Sequence, residues 1–380
     1  MELNQLRQEI DEIDRELVSL FIRRMNCSAS VAEYKLEHGL PVLDASRERA
    51  LLSKISELSG EDFEEYSRTL YATILSLSRS YQHKKLGETT ELYTEILKAI
   101  DGTPRMFPER AKIACQGVEG AYSQIAAERL FSAPNITFFS NWEGVFSAIE
   151  AGMCRYGVIP IENSTAGSVK KVYDLMISKN FKIVRTVRIK IDHCLLAKKG
   201  TKLAEIKEIF SHEQAISQCG RFLSSLHGVE VKPCANTAVA AKMVAEGSDN
   251  GIAAISSRAC AELYGLSILA ETIQDTGANR TRFICISKKR EIYPGANRTT
   301  LTMVLKHKPG ALFSALERCN ELGVNLVKLE SRPLPERDFE FLFYLDLDIP
   351  AASPVLGELI ALLESEAEEL RYLGSYSEVV

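Results

Sequence analysis

Two cations stand where a helix should be apolar. Along the first helical stretch Leu6, Ile10, Ile13, Leu17, Leu20 and Val31 share one sector of about 80°, and Arg24 and Lys35 fall inside it. Arg23 falls about 100° away toward solvent, so a harmless place for a basic side chain existed and another was still turned inward. An unpaired buried cation is costly, and an anionic partner is therefore expected.

Part of that partner could be protein. Asp44 and Glu48 lie on the apolar face of a second helix with Leu51, Leu52, Ile55 and Leu58, while Arg47 lies toward its edge. On a later helix Tyr71 and Ile74 continue as Ser78 and Gln82, so an apolar stripe turns polar without changing direction. Two readings fit: a buried ion-pair network with snorkelling stems, or a bundle pocket for a small dianion.

Further along, Gly117-Val118-Glu119-Gly120-Ala121-Tyr122-Ser123 follows a strand and opens a helix, where backbone amides favour an anion. Three more polar runs stand at strand ends or helix starts, the places where open α/β sheets bind ligands. They are Pro160-Ile161-Glu162-Asn163-Ser164-Thr165-Ala166-Gly167, Ser211-His212-Glu213-Gln214 with Gln218, and Asn279-Arg280-Thr281-Arg282-Phe283. Nearer the C-terminus, Lys308-Pro309-Gly310-Ala311-Leu312 sits at a strand-to-helix junction and Glu330-Ser331-Arg332-Pro333 ends the next strand. Gly310 and Ala311 let a ligand approach the backbone closely, so amides at the helix start can take an α-carboxylate.

The elements that must position these residues divide the chain in three. Residues 1–100 read as all-α, and 101–111, with Asp101-Gly102-Thr103-Pro104, as a linker. Residues 112–287 alternate short apolar runs such as Gly157-Val158-Ile159-Pro160-Ile161 with helical stretches such as Thr237 to Glu246, an α/β domain. After a polar linker, 288–298, residues 299–380 give strand Leu301–Lys306, helix Ala311–Leu322, strands Val324–Ser331 and Phe339–Asp346, helix Pro354–Glu364 and strand Leu370–Tyr376. That βαββαβ order is the order of an α+β ferredoxin-like sandwich.

Composition narrows the function classes. A chain of 380 residues, 46% hydrophobic and 26% charged, is long enough for two or three domains. A net charge of −5 with no basic block argues against nucleic acid. Met1-Glu2-Leu3-Asn4-Gln5 does not resemble an export signal and no long apolar run exists, so a cytoplasmic protein without membrane contact is expected. Nine cysteines without a CxxC pair read as buried reduced thiols, and neither a metal nor a cofactor is expected.

Leu6-Arg7, Arg24, Lys35, the run Asp44-Ala45-Ser46-Arg47-Glu48-Arg49, Ser78 and Gln82 resemble the all-helical chorismate mutase family over about residues 3 to 85. The resemblance implies that Arg7, Arg24 and Lys35 hold the two carboxylates and ether oxygen of chorismate, Asp44 and Glu48 the ring hydroxyl side, Ser78 a carboxylate and Gln82 the ether oxygen. The rearrangement to prephenate needs a compact conformer and donors aimed at the oxygen that gains charge, not a proton transfer. Arg7 lies about 100° round the helix and several turns from Arg24, which suits the intertwined homodimers of that family, with Arg7 serving a neighbouring chain.

Residues 112–287 resemble prephenate dehydratase, whose fold is two lobes around a cleft, similar to periplasmic binding proteins. The runs Ile191-Asp192-His193-Cys194-Leu195-Leu196 and Ala261-Glu262-Leu263-Tyr264-Gly265-Leu266 belong to the same likeness. It implies that Thr281, in Thr281-Arg282-Phe283, carries catalysis by hydrogen bonding to the departing hydroxyl, with Glu162 as a true acid if burial raises its pKa. Asn163, Ser164, Ser211 and Gln218 would orient the ring and its acids, and Arg282 would pair either a substrate carboxylate or a domain salt bridge. One departure is Cys115-Gln116-Gly117-Val118-Glu119-Gly120, where Glu119 replaces a loop cation common in relatives.

The last module resembles an ACT regulatory domain of the phenylalanine-binding kind. Gly310, Ala311, Leu312, Glu330, Ser331 and Arg332 would then bind L-phenylalanine as effector, in a homodimer or higher homo-oligomer.

Overall fold

The structure, a computed structural model, describes residues 3–86, 89–334 and 340–379. Phe339, expected to open a strand, lies outside the described residues, as do Met1 and Glu2. Four helices come first: α1 (Leu3–Glu37), α2 (Ala45–Ser59), α3 (Glu64–Leu86) and α4 (Glu91–Gly102). Next are β1 (Lys112–Gln116), α5 (Tyr122–Leu130), β2 (Asn135–Phe139), α6 (Trp142–Glu150), β3 (Tyr156–Asn163), β4 (Gly167–Ser168), α7 (Lys170–Ser178) and β5 (Lys182–Lys190). The chain continues through β6 (Cys194–Ala197), β7 (Glu208–Ser211), α8 (Glu213–Gln218), α9 (Gly220–Ser224), β8 (Glu230–Pro233), α10 (Thr237–Glu246), β9 (Ile252–Ser256), α11 (Arg258–Tyr264), β10 (Ser267–Ala270) and β11 (Arg280–Ser287). It ends with β12 (Arg298–Leu305), α12 (Ala311–Glu321), β13 (Asn325–Pro333), β14 (Phe341–Asp348), α13 (Pro354–Glu366), β15 (Ala367–Tyr376) and β16 (Glu378–Val379).

Two compact units share this chain, one of Met1–Thr94, Val304–Gly323 and Ser353–Glu369, the other of Glu95–Met303, Val324–Ala352 and Leu370–Val380. In the first unit α3 packs against both α1 and α2. The apolar stripe of α1 is not covered as expected: Leu6, Ile10, Ile13, Leu17, Leu20 and Val31 are exposed, and Ala32 is the buried residue of that helix among those described. Among the described residues no second helix of the same chain covers that stripe, which leaves the inward cations of α1 half-buried.

The second unit holds two α/β lobes. One is built on a seven-stranded sheet, β16-β5-β11-β3-β1-β2 with β4 on the flank of β3, and the other on a five-stranded sheet, β10-β6-β9-β7-β8. The chain enters the second lobe after β5 and returns at β11, so the residues joining the lobes, 191–193 and 271–279, lie beside each other. Helices start where side chains satisfy their first free amides: Asn141 accepts from Gly144 N, Asn236 from Val239 N and Ser257 from Cys260 N. The polar stretch 288–298 is no loose linker. Glu291, Ile292 and Tyr293 are buried, and the hydroxyls of Tyr156 and Tyr293 donate to Glu291 Oε2 at 2.5 and 2.6 Å.

A further sheet has the order β13-β14-β12-β15, with β13 and β14 antiparallel. Of the nine cysteines all are free, and all but exposed Cys27 and half-buried Cys234 are buried. No described helix is long and apolar enough to cross a membrane.

Gly157 shows how tightly β3 is seated. A Cβ there would stand 2.8 Å from Val145 Cγ1, 2.9 Å from Ile149 Cδ1 and 3.1 Å from Ile286 Cγ1. Gly157→Ala is therefore expected to destabilise the protein by about 1–3 kcal/mol, read as a lowered denaturant midpoint at unchanged slope.

Candidate active sites

Between the two lobes lies a cavity of about 500 Å³, lined from one side by Tyr122, Asn163, Thr281 and Phe283 and from the other by His193, Gln218 and Asn236. Strand parity puts Thr281 and Phe283 on this face of β11 and Arg280 and Arg282 on the opposite one. The same alternation separates Asn163 from Glu162 on β3.

The orientation of Asn163 follows from the backbone. Its Oδ1 accepts from Thr165 N and Ala166 N, both at 3.0 Å, and from Thr165 Oγ1 at 2.7 Å. Two backbone N–H groups can only donate, so Nδ2 must face the other way, where it donates to Asn279 Oδ1 (2.7 Å) and Thr281 Oγ1 (2.9 Å). Asn279 Nδ2 then donates to Gln218 Oε1 (2.8 Å), and Gln218 Nε2 donates to Thr165 Oγ1 (2.8 Å). Asn163, Asn279, Gln218 and Thr165 thus close a ring across both lobes, and every donor and acceptor in it is fixed.

Two side chains hang from the ring. Thr281 Oγ1 accepts from Asn163, which leaves its own O–H to be donated into the cavity. His193 Nε2 stands 3.1 Å from Gln218 Oε1, an acceptor, so Nε2 carries the proton. Burial lowers the His193 pKa and keeps the ring neutral, with Nδ1 buried and unpartnered.

Among the described residues no lysine or arginine lines this cavity. Its other polar lining includes the starts of α5 and α10, Gln116, His212, Gln214, Asn236, and Trp142 Nε1, which is buried without a partner.

Several expected site residues are placed elsewhere. Glu162 is turned from the cleft, with Oε1 2.8 Å from Arg282 Nε and Oε2 2.5 Å from Lys328 Nζ, so its carboxyl faces two cations and not the cavity. Arg282 spans Glu162 and Asp346 (2.7 Å), so the salt-bridge alternative describes it and the substrate-carboxylate one does not. Ser211 donates to Ile255 O within the five-stranded lobe, and Ser164 to Ala278 O. Sequence reasoning missed Thr165, His193 and Asn279 as site members, although each lies in a quoted run. The period-2 parity of Asn279, Thr281 and Phe283 was the available signal.

In the helical unit Ser28 and Ser78 hydroxyls meet at 2.5 Å and tie α1 to α3. One turn from each, Arg24 Nη1 and Gln82 Oε1 are buried without partners. Lys35 Nζ donates to Val42 O (2.5 Å). Glu48 receives Arg79 Nη1 at 2.6 Å, a cation the sequence reading did not select. Asp44 caps α2 by accepting from Arg47 N (3.0 Å) and Ser46 Oγ (2.9 Å), bonds that lower its pKa; Arg47 and Arg7 are exposed.

A helical unit with unsatisfied donors and acceptors, followed by a two-lobed α/β cleft with one oriented hydroxyl, describes a two-site enzyme of small anionic substrates. Residues 6–83 match the type II chorismate mutase family and residues 113–291 the prephenate dehydratase family. The bifunctional chorismate mutase/prephenate dehydratase of Aquifex aeolicus is 31% identical over 99% of this chain and 98% of its own. An Arabidopsis thaliana arogenate dehydratase/prephenate dehydratase is 36% identical over 78% of this chain and 81% of its own. The crystal structure of an Arthrobacter aurescens prephenate dehydratase in complex with L-Phe is 29% identical, with a TM-score of 0.64 over 70% of this chain and 89% of that one. The chain belongs to the bifunctional chorismate mutase/prephenate dehydratase family, and it carries both activities, in phenylalanine biosynthesis.

Asn163→Leu removes the donor to Thr281 and opens the ring. Prephenate turnover is expected to fall about a hundredfold while conversion of chorismate to prephenate is unchanged, measured in separate assays on one preparation.

Proposed function

We propose that Thr281 delivers the key hydrogen bond of the dehydratase reaction. The observation that carries this is the direction of the Asn163–Thr281 bond, which leaves the threonine proton free for the cleft. As the ring carboxylate departs as carbon dioxide, its electron pair forms the aromatic ring and expels the hydroxyl at the far carbon. Donation from Thr281 O–H stabilises the charge growing on that oxygen, which takes its final proton from water. Asn163, Gln218 and Phe283 position the substrate and the threonine. Neutral dipoles and the starts of α5 and α10 hold its carboxylates.

For the mutase, the unpartnered Arg24 Nη1, together with Lys35 and Gln82, supports a site for the chorismate carboxylates and ether oxygen at the α1–α3 contact, with Ser78 and Glu48 beside it. The exposed stripe from Leu6 to Val31 and the exposed Arg7 support completion of the bundle by a second copy of the chain. Two variants assayed on chorismate test both assignments together. Thr281→Ala is expected to let prephenate accumulate without phenylpyruvate, and Lys35→Ala to slow prephenate formation about a hundredfold while added prephenate is still consumed. Near-normal phenylpyruvate production by Thr281→Ala would remove it from the mechanism.

We further propose that residues 299–380 form a ferredoxin-like ACT module that binds L-phenylalanine and inhibits the dehydratase. The strand order β13-β14-β12-β15 supports this, as does Gly310, at a φ of 79° immediately before α12, where only glycine is at ease. Gly310, Ala311 and Leu312 present amides to an α-carboxylate, and Ser331 faces solvent on β13. Glu330 and Arg332 are already engaged, with Ser168 and with Asp174 (2.9 Å). Inhibition at a distance requires that the effector favour one of two states, and by linkage it shifts prephenate affinity by about 5- to 150-fold. Ala311→Asp places a carboxylate at the start of α12, where it suits the helix and repels an amino-acid carboxylate. Calorimetry on the intact protein should show phenylalanine affinity lowered at least about tenfold; equal binding by both proteins would put the effector elsewhere.

A further inference from the structure

The dehydratase machinery draws on a strand far down the chain. Lys328 of β13 donates to Glu162 Oε2 (2.5 Å), Tyr173 OH (2.7 Å) and Ser168 Oγ (2.9 Å), and Glu330 Oε2, which also accepts from Ser168, stands 3.2 Å from the same ammonium. Glu162 and Ser168 are register partners across β3 and β4, so one ammonium clamps both sides of a hairpin. The turn of that hairpin is Asn163 to Ala166, half of the hydrogen-bonded ring that sets the Thr281 proton. With only Gly167 and Ser168 in its second strand, the hairpin has a short ladder of its own and draws on contacts from outside it.

The clamp is itself braced. Lys328 is the register partner of Asp346 across β13 and β14, as Glu162 is of Arg282 across β3 and β11. Arg282 joins the two pairs by reaching Glu162 at 2.8 Å and Asp346 at 2.7 Å, with both Arg282 and Asp346 buried. Charges alternate along this path, and none can shift without exposing the next.

We propose that Lys328 is a positioning residue of the dehydratase site, acting through Glu162 and Ser168 on the Asn163–Ala166 turn. This rests on the reading of Asn163 and Thr281 as site residues, whose own test, the Thr281→Ala assay, is independent of any change at Lys328. Removing the clamp leaves the cleft in place but lets the turn drift, and a misplacement on the order of 1 Å costs up to about a hundredfold in rate.

The test uses the full-length protein and prephenate as substrate. In Lys328→Met, which keeps the apolar stem and loses the charge, kcat is expected to fall about ten- to a hundredfold with KM within about threefold, because the turn orients and does not bind. Lys328→Arg, which returns the charge, should recover to within about fivefold of the parent. Adding Glu162→Gln to Lys328→Met should cost little more than either alone, since both act on one turn. Mutase activity of each preparation reports that the rest of the chain is folded. A kcat for Lys328→Met within about twofold of the parent, an equal loss in the arginine variant, or fully additive losses would each overturn the proposal.

Discussion

Two backbone amides, those of Thr165 and Ala166, decide how the dehydratase cleft is wired. Because they can only donate, they fix the oxygen of Asn163, and the direction of every other bond in the ring is determined from there. Rotating that one amide would put oxygen against oxygen at Asn279 and nitrogen against nitrogen at the turn, and would make Thr281 spend its proton on Asn163. A tight turn of ordinary residues thus determines where a hydroxyl proton points one strand away. The ring also spans the lobes, because Gln218 is delivered by the five-stranded lobe and Asn163 by the seven-stranded one. Cleft geometry and proton direction are therefore one constraint.

Much of the fold was legible in the sequence because local patterns and tertiary demand agreed. The helical N-terminal stretch, the alternation of strands and helices, and the βαββαβ order all reappear with ends shifted by a few residues. Phase within a motif was harder to read. Pro160–Gly167 and Asn279–Phe283 were recognised as polar runs at strand ends, yet a run alternates faces. Glu162 and Arg282 were grouped with neighbours that point the opposite way. Ser211 enters through the family resemblance, and its hydroxyl satisfies a carbonyl inside its own lobe. The stripe on α1 reads from its period as a buried face, yet it is exposed in the single chain, because a stripe does not say whose surface covers it.

Charge is distributed in an instructive way in this chain. The second unit buries Arg282 and Asp346 behind β3 and β11, where each meets an opposite partner, and among the described residues no lysine or arginine lines the cleft. A buried pair of this kind is weak evidence of stability, but it fixes how strands meet, since any other register leaves a charge alone in a poor solvent. The fixed charges therefore serve as alignment behind the sheet, and the dipoles serve recognition in front of it.

That division bears on product release. The substrate enters with two carboxylates and the product leaves with one, the other having departed as carbon dioxide. A lysine in the cleft would hold its carboxylate nearly as firmly after the reaction as before it. Donors that are neutral and shared among helix starts, an indole and amides gain less from each anion. On the reading proposed for the cleft, the loss of one of the two carboxylates weakens what these donors hold, so the chemistry itself favours release of the product.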